Sequence, residues 1–178
     1  MYLSLHSACF FLVLFLLFFH LGTTTFANWD EAWFASVAQD MASRNDWLFG
    51  QFNDQVWFYE PPLLTTILAL IYKTAGPSEF WLRLPNALSG LLIIIITYKL
   101  SILITKSKTA SLASSLILLS DIEFLFRSRS INVEIPLTLL LIASLTTLYY
   151  TKQSPKLKLY CLSFFLLGLS FITKRASP

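Results

Sequence analysis

Five runs of apolar residues divide the chain, and shorter polar stretches separate them. A membrane-spanning helix needs about 20 consecutive, mostly apolar residues, so each run predicts one transmembrane helix. The last two runs are the shortest. The predicted spans are residues 3–21, 80–104, 110–126, 135–150 and 159–173.

A further apolar stretch, residues 62–75, has the length of a surface segment and not of a sixth span. Its apolar residues recur at helical spacing, with polar residues elsewhere on the helical wheel, which is typical of a helix lying on a membrane. Five spans then place two lysine-containing loops on one side, and the positive-inside rule makes that side cytoplasmic. If residues 62–75 crossed instead, both loops would move to the outer face, where lysine is disfavoured. The lysines are Lys106, Lys108, Lys152, Lys156 and Lys158.

The loop between the first two predicted spans, residues 28–79, is acidic and rich in tryptophan. Up to residue 60 it contains six acids against a single arginine, which suits an outer loop. All five tryptophans lie in it or at its edge, as expected for a segment in the headgroup layer. Asn28 and Glu31 have the spacing of a capping box, with an apolar stripe behind them. This pattern predicts a short amphipathic helix that starts near Asp30.

The composition also indicates a membrane protein. Of the 178 residues, 56% are hydrophobic and 13% are charged, whereas soluble domains carry about a quarter charged residues. The net charge of +3 is small, and the basic and acidic residues fall on different sides of the membrane in the predicted topology. No nucleic-acid partner is therefore predicted. Cys9 and Cys161 lie in separate apolar runs and are expected to be core residues. A cleaved signal peptide is the alternative for residues 3–21, but the segment has no basic residues before its apolar part.

Asp30 and Glu31 follow the first span, where the charged head of a lipid would lie. A carboxylate there can bind a divalent cation or accept a proton from an attacking hydroxyl, and partial burial would raise its pKa toward the working range. The alternative is structural: Glu31 completes the helix cap, and Asp30 complements the positive end of the helix.

A second polar cluster separates the third and fourth spans and, with five spans, emerges on the same face as Asp30. Arginines beside acids are suited to binding a phosphate, although charges that merely end two helices at the interface would have the same pattern. The cluster consists of Arg127, Arg129, Asn132 and Glu134.

Two further pairs of charges are unusual for their positions. Asp121 and Glu123 fall inside the third predicted span, where carboxylates are costly and usually face a cavity or a partner. Lys174 and Arg175 follow the fifth span on the predicted outer side, against the positive-inside tendency. A contact with a phosphate would explain them, and so would a chain that continues or ends there.

Several short motifs occur along the chain in a specific order and spacing. They are Asp30-Glu31-Ala32-Trp33-Phe34, Asn45-Asp46-Trp47, Gln51-Phe52-Asn53, Glu60-Pro61-Pro62-Leu63, Arg83-Leu84-Pro85, Arg129 with Glu134-Ile135-Pro136-Leu137, and Leu167-Gly168-Leu169 with Thr173-Lys174. This order resembles the N-terminal portion of GT-C membrane glycosyltransferases, the class that includes protein O-mannosyltransferases and lipid A aminoarabinose transferases. The resemblance implies one all-α integral membrane module over residues 1–178, with about five transmembrane helices and short amphipathic helices in the outer loop.

Members of this family transfer a sugar from a polyprenyl-phosphate donor to a lipid, glycan or protein acceptor outside the cytoplasm, usually with inversion at the anomeric carbon. The resemblance implies that Asp30 is the general base and that Glu134 is a second acidic residue of the catalytic site, which orients an arginine or a divalent ion. Together with the charged clusters, it gives a predicted set of substrate-binding residues: Glu31, Glu60, Arg127, Arg129, Asn132 and Lys174.

Two positions depart from the family pattern. The family often has Asp where this chain has Glu134, and Lys or His where it has Glu60, which replaces a charge that attracts phosphate by one that repels it. No metal-binding cluster is predicted, and the carboxylates leave open whether a divalent cation takes part. Members are usually several hundred residues long, so the sequence predicts a truncated version of a longer enzyme.

The predicted location is the cytoplasmic membrane of a bacterium with the active face outward, and membrane lipids are expected partners besides donor and acceptor. A non-catalytic membrane protein that holds a polyprenyl phosphate in the same groove is the main alternative. A small transporter is less well supported, because paired broken helices are absent from the sequence pattern and the acids lie mostly at one face.

Overall fold

The computed structural model describes residues 2–26, 29–53, 55–57 and 59–174, with the backbone alone for residues 2–7 and 153. These residues form eight α-helices and a two-stranded antiparallel hairpin, β1 (Gln51–Phe52) and β2 (Gln55–Val56). The helices are α1 (Tyr2–Phe18), α2 (Trp29–Arg44), α3 (Leu63–Ala75), α4 (Glu79–Thr105), α5 (Lys108–Ser120), α6 (Ile122–Ser128), α7 (Glu134–Gln153) and α8 (Leu157–Phe171).

The predicted all-α membrane fold is confirmed, and apolar helices lie at all five predicted span positions. In the described chain, Glu79–Thr105 and Glu134–Lys152 are long and apolar enough to cross a membrane, and α5 with α6 makes a third if the pair is one span. The apolar helices Ala8–Phe18 and Leu157–Phe171 are shorter.

The third predicted span, residues 110–126, is not one continuous helix, which corrects the prediction. The axis bends by 74° between α5 and α6. Asp121 causes the break, because its Oδ1 accepts hydrogen bonds from the backbone N–H groups of Glu123 at 2.9 Å and Phe124 at 3.4 Å and so caps a new helix. Asp121 and Glu123 are both exposed at the bend, so neither carboxylate is buried in the bundle.

Contacts near the helix termini give the bundle two distinct ends. Near the start of α4, Asn86 Nδ2 donates to the carbonyl of Asn132 just before α7, at 2.9 Å. Lys174, just after α8, lies 2.9 Å from Glu134 at the start of α7. We call this the site end. Since α4 and α7 run away from it, their last residues and the starts of α5 and α8 form the opposite end, the lysine end. The lysines at this end are Lys106, Lys108, Lys152, Lys156 and Lys158, in the two loops or in the adjoining turns of the helices.

The loop between α1 and α4 folds into a helical layer with its own core. Val37 and Met41 on α2 pack with Leu64 and Leu68 on α3, and all four side chains are buried. Burying four aliphatic side chains stabilises this contact by several kcal/mol, at about 1.5–3 kcal/mol each. The layer thereby fixes the position of α2.

Both helices predicted in this loop are present. α2 begins at Trp29, next to the predicted start at Asp30, and α3 covers the stretch predicted at residues 62–75. Ile67 and Leu70 on α3 are exposed, as suits a helix lying on a membrane. Asn28 of the predicted capping box lies outside the described residues.

Asp40 ties the hairpin to α2. Its Oδ1 accepts a hydrogen bond from Arg44 Nε at 3.0 Å, and its Oδ2 accepts one from the backbone N–H of Gln51 at 2.8 Å. The bond from Arg44 holds the pKa of the Asp40 carboxyl below its usual value, aided by Gln51 and opposed by burial. The charged form of Asp40 is therefore the form that stabilises the fold.

Asp40→Asn is expected to lower the free energy of unfolding by about 0.5–1 kcal/mol at pH 7, as for other partly exposed ion pairs. Because the folded pKa lies below the unfolded value of about 3.9, the stabilisation is complete above about pH 4 and is lost as the pH falls through the folded pKa. Urea unfolding followed by tryptophan fluorescence should show a smaller difference between wild type and variant at pH 3 than at pH 7. An equal difference at both pH values would show that the charge is not responsible.

α4 and α6 approach each other at Gly90. A Cβ atom at this position would lie 2.5 Å from Oγ and 2.7 Å from Cβ of Ser128. Protein interiors are close-packed and have no slack for such contacts. Gly90 therefore allows α6, which carries Arg127, to sit against α4.

Gly90→Ala is expected to cost about 1–3 kcal/mol of unfolding free energy, as other overpacked sites do, and to displace α6. Gly168→Ala is the matched control, because a Cβ atom there meets nothing within 4 Å. Thermal unfolding in detergent measures both variants. Adding Ser128→Gly to Gly90→Ala should restore part of the stability, and the absence of any recovery would argue against this clash.

Candidate active site

Charged side chains from separate parts of the chain meet at the site end. On α6, Arg127 Nε lies 2.7 Å from Glu123 Oε1, and Arg127 Nη1 lies 3.9 Å from Glu134 Oε2 on α7. Lys174 Nζ lies 2.9 Å from Glu134 Oε1. We call these four residues the ionic cluster. All four are partly exposed, and pairs of this kind contribute about 0–1 kcal/mol each, so a bound phosphate can replace a carboxylate partner at little cost.

Asp30 lies beside the ionic cluster, exposed in the first turn of α2. The charges of Asp30 and Glu134 both act on the guanidinium of Arg127. The structure therefore brings the two acids predicted to be catalytic to the same arginine, although they are about a hundred residues apart in sequence.

A row of aromatic rings adjoins Asp30. The ring centres of Trp29 and Trp33 are 6.3 Å apart, and those of Trp33 and Tyr59 are 5.8 Å apart. Trp29 and Tyr59 are largely exposed. Such rings are favoured in the headgroup layer, so the row is suited to holding Asp30 at that depth. Glu60 follows Tyr59 and is partly exposed in the bend before α3.

Glu31 forms a buried ion pair with Arg83 on α4. Its Oε1 lies 2.9 Å from Arg83 Nε, and its Oε2 lies 2.9 Å from Arg83 Nη2. Oε1 also accepts a hydrogen bond from the backbone N–H of Ile131 at 2.9 Å. Glu31 and Arg83 are 2% and 4% exposed, so the carboxylate joins α2, α4 and the segment before α7. The predicted substrate contact of Glu31 stays a prediction.

Arg83 also holds the segment that leads from α1 to α2. Its Nη1 donates to the carbonyls of Leu21 at 2.9 Å and Thr24 at 2.8 Å, and its Nη2 donates to that of Thr25 at 3.2 Å. Sequence reasoning used Arg83 only as part of a motif and missed this role. The available signal was an arginine near the start of an apolar span, since such a charge requires a partner.

Arg129 and Asn132 also have structural partners. Arg129 donates from Nη1 to the carbonyl of Leu16 and from Nη2 to that of Phe19 at 2.8 Å, which satisfies carbonyls at the C-terminal end of α1. Asn132 Oδ1 accepts a hydrogen bond from the N–H of Ile135 at 3.1 Å and so caps α7. Their predicted contacts with substrate stay predictions.

A polar cavity of about 150 Å³ lies beneath these contacts. Glu31, Arg83 and Arg129 line it, together with His20 and Ser130. Burial and the charge of Arg83 lower the pKa of Arg129. Among the side chains that the structure describes, no three His, Cys, Asp or Glu residues are grouped so as to hold a metal ion.

Known proteins match most of this chain in sequence. Residues 59–177 match the family described as dolichyl-phosphate-mannose-protein mannosyltransferase. An uncharacterized protein of Aquifex aeolicus is 32% identical over 162 residues, which are 91% of this chain and 32% of that protein. Undecaprenyl phosphate-alpha-4-amino-4-deoxy-L-arabinose arabinosyl transferase 1 of Pseudomonas fluorescens is 27% identical over 169 residues, covering 92% of this chain and 31% of the relative.

The fold is also similar to that of a solved structure. The crystal structure of ArnT from Cupriavidus metallidurans bound to undecaprenyl phosphate superposes with a TM-score of 0.81 at 20% identity, over 97% of this chain and 32% of ArnT. The chain thus spans about a third of the length of the proteins that it matches. It belongs to the dolichyl-phosphate-mannose-protein mannosyltransferase family and has the fold of the N-terminal portion of a GT-C membrane glycosyltransferase.

Proposed function

We propose that this chain forms the acceptor-activating part of a membrane glycosyltransferase that takes a sugar from a polyprenyl-phosphate donor. The observation that carries the proposal is that the charges of Asp30 and Glu134 both act on Arg127 at one end of the bundle, where Glu134 also pairs with Lys174. An exposed carboxylate beside exposed cations supplies the two groups that such a transfer needs: a base for the acceptor and positive charge for the departing phosphate.

In the proposed reaction, Asp30 accepts the proton of the acceptor hydroxyl. The acceptor oxygen bonds to the anomeric carbon as the bond from that carbon to the phosphate oxygen breaks, and polyprenyl phosphate leaves. Arg127 and Lys174 neutralise the phosphate, while Glu134 holds both cations in place. We assign the phosphate to these two cations and not to Arg129, because Arg129 is engaged with the end of α1.

The relatives support the class of donor. The Pseudomonas protein is named for undecaprenyl phosphate-alpha-4-amino-4-deoxy-L-arabinose, and ArnT was crystallised with undecaprenyl phosphate. We extend this donor class to the present chain, with the site end on the outer face of a bacterial cytoplasmic membrane. The acceptor is a lipid, glycan or protein that reaches this face.

A non-catalytic protein that only binds polyprenyl phosphate is the second candidate. The observation favouring it is that Arg127 and Lys174 offer positive charge at the site end whether or not Asp30 acts as a base. Such a protein would use Arg127 and Lys174 to hold the lipid phosphate, without proton transfer to Asp30.

The two candidates differ in transfer but not in binding. The full chain, reconstituted in lipid nanodiscs, would be titrated with undecaprenyl phosphate and then supplied with sugar-charged undecaprenyl phosphate and lipid acceptors. Binding followed by formation of glycosylated acceptor is the expected result. Binding without transfer would support the second candidate, and failure to bind undecaprenyl phosphate would overturn both.

A further inference from the structure

The acids of this chain lie outside the stretches that form the lysine end of the bundle. Residues 1–29, 80–120 and 135–178 contain no aspartate or glutamate. These stretches include nearly all of the five apolar helices, and α4, α5, α7 and α8 meet at the lysine end. A lysine at that end therefore finds no carboxylate partner within these stretches, and the acids that begin α4 and α7, Glu79 and Glu134, lie at their opposite ends.

The lack of a carboxylate partner matters most for Lys99. It lies in the span Glu79–Thr105, six residues before the end of the helix, which corresponds to about 9 Å along the axis. Its side chain is exposed. A charged side chain at this depth is costly unless it reaches the interface or meets an opposite charge, so an anion from the surroundings would stabilise it.

An apolar groove adjoins Lys99. It has a volume of about 230 Å³ and lies between α1, α4 and α5. Its walls are almost entirely apolar and include Val13, Leu91, Ile94, Leu112 and Leu116. Cys9, Tyr98, Lys99 and Ser115 are also among its lining residues. The groove thus joins an apolar channel to one exposed lysine, Lys99.

We propose that this groove binds one anionic phospholipid, with part of an acyl chain between α1 and α5 and the lipid phosphate at Lys99. Charge complementarity selects this occupant, because an anionic headgroup supplies the charge that the surrounding helices lack. A second copy of the chain that packed against this groove through its own groove would instead bring its Lys99 toward the first Lys99, and the two positive charges would repel each other. The site is distinct from the ionic cluster, which lies at the opposite end of the bundle, and it does not depend on the proposed transfer.

Two further lysines at this end strengthen the preference for an anionic lipid. Lys106 and Lys108 connect α4 to α5 at this end, and each basic residue near a membrane surface adds attraction for anionic lipid. The control is a lysine at the same end but on another helix, because a diffuse attraction depends on all of these lysines, whereas a built site depends chiefly on Lys99.

The test is native mass spectrometry of the full chain, titrated with phosphatidylglycerol and with phosphatidylethanolamine of the same acyl chains. Wild type is expected to retain one phosphatidylglycerol in preference to phosphatidylethanolamine. Lys99→Gln should lower that preference about fivefold, Lys99→Arg should keep it, and Lys158→Gln in the α8 helix should leave it close to wild type. Equal losses in Lys99→Gln and Lys158→Gln would overturn the site in favour of diffuse attraction.

Leu112→Trp tests the groove itself, since it fills the channel without changing charge. It should reduce phosphatidylglycerol retention, whereas Ile117→Trp on the exposed face of the same helix should not. Unchanged retention of phosphatidylglycerol in Leu112→Trp would contradict the proposal that an acyl chain lies in the groove. A shift of that variant from dimer to monomer in light scattering, with lipid preference intact, would show that a second copy fills the groove. Circular dichroism of each variant confirms that the helices are retained.

Discussion

Arg83→Met is expected to lower the free energy of unfolding by about 3–5 kcal/mol, the usual cost of removing one partner of a buried ion pair. The substitution leaves Glu31 buried without its cation. It also removes the donors to the backbone carbonyls of Leu21, Thr24 and Thr25. Unfolding of the purified chain in mixed micelles, followed by tryptophan fluorescence, measures the loss.

Arg44→Met is the matched control. Arg44 pairs with Asp40 in the same outer layer, but its side chain is 34% exposed, so its loss should cost far less than the loss of Arg83. The double variant Arg83→Met/Glu31→Leu should be more stable than Arg83→Met alone, because the stranded carboxylate is gone. Full recovery is not expected, since the three carbonyls still lack donors. Equal costs for Arg83→Met and Arg44→Met would show that the buried Glu31–Arg83 pair stabilises the fold no more than an exposed pair does.

The buried Glu31–Arg83 ion pair explains how the candidate base, Asp30, is held in position. Asp30 is the residue before Glu31, and the Glu31 carboxylate is bonded to α4 through Arg83 and to the segment before α7 through Ile131. The same segment follows Arg127 by a few residues. A single buried carboxylate therefore fixes the start of α2 relative to the ionic cluster, and a catalytic group needs such support to keep its geometry.

The sequence predicted the positions of the helices well, because a membrane helix is specified by the length of an apolar run. It did not predict the bend at Asp121. An acid inside an apolar run is compatible both with a carboxylate facing a cavity and with a cap that starts a new helix, and hydropathy does not distinguish them. Only the hydrogen bonds to Glu123 and Phe124 identify the cap.

The site was predicted only in part, for a similar reason. The sequence identified Asp30, Glu134 and Arg127 as charged residues that emerge on one face, and these three do lie together. It treated Arg129 and Asn132 in the same way, although their described partners are mainly backbone groups. A sequence shows which residues carry donors and acceptors, but the backbone groups that they meet depend on how distant segments pack.

Asp30→Asn is expected to reduce the rate of sugar transfer by about 10²–10⁴-fold, the usual contribution of a general base. The amide keeps the size of the carboxylate but cannot accept the acceptor proton. Affinity for undecaprenyl phosphate should stay close to that of wild type or rise slightly, because a negative charge near Arg127 is removed. Initial rates with a sugar-charged undecaprenyl phosphate, alongside binding of the uncharged lipid phosphate, separate the two effects.

Asp40→Asn is the control for that experiment, since Asp40 lies on the same helix but accepts hydrogen bonds from Arg44 and from the hairpin residue Gln51. It should transfer sugar at nearly the wild-type rate. Glu134→Gln should slow transfer, because Glu134 holds Lys174 and faces Arg127 and so keeps both cations in position. If Asp30→Asn kept full activity while Glu134→Gln lost it, Asp30 would not be the base, and the proton would have to pass to another group at the site end.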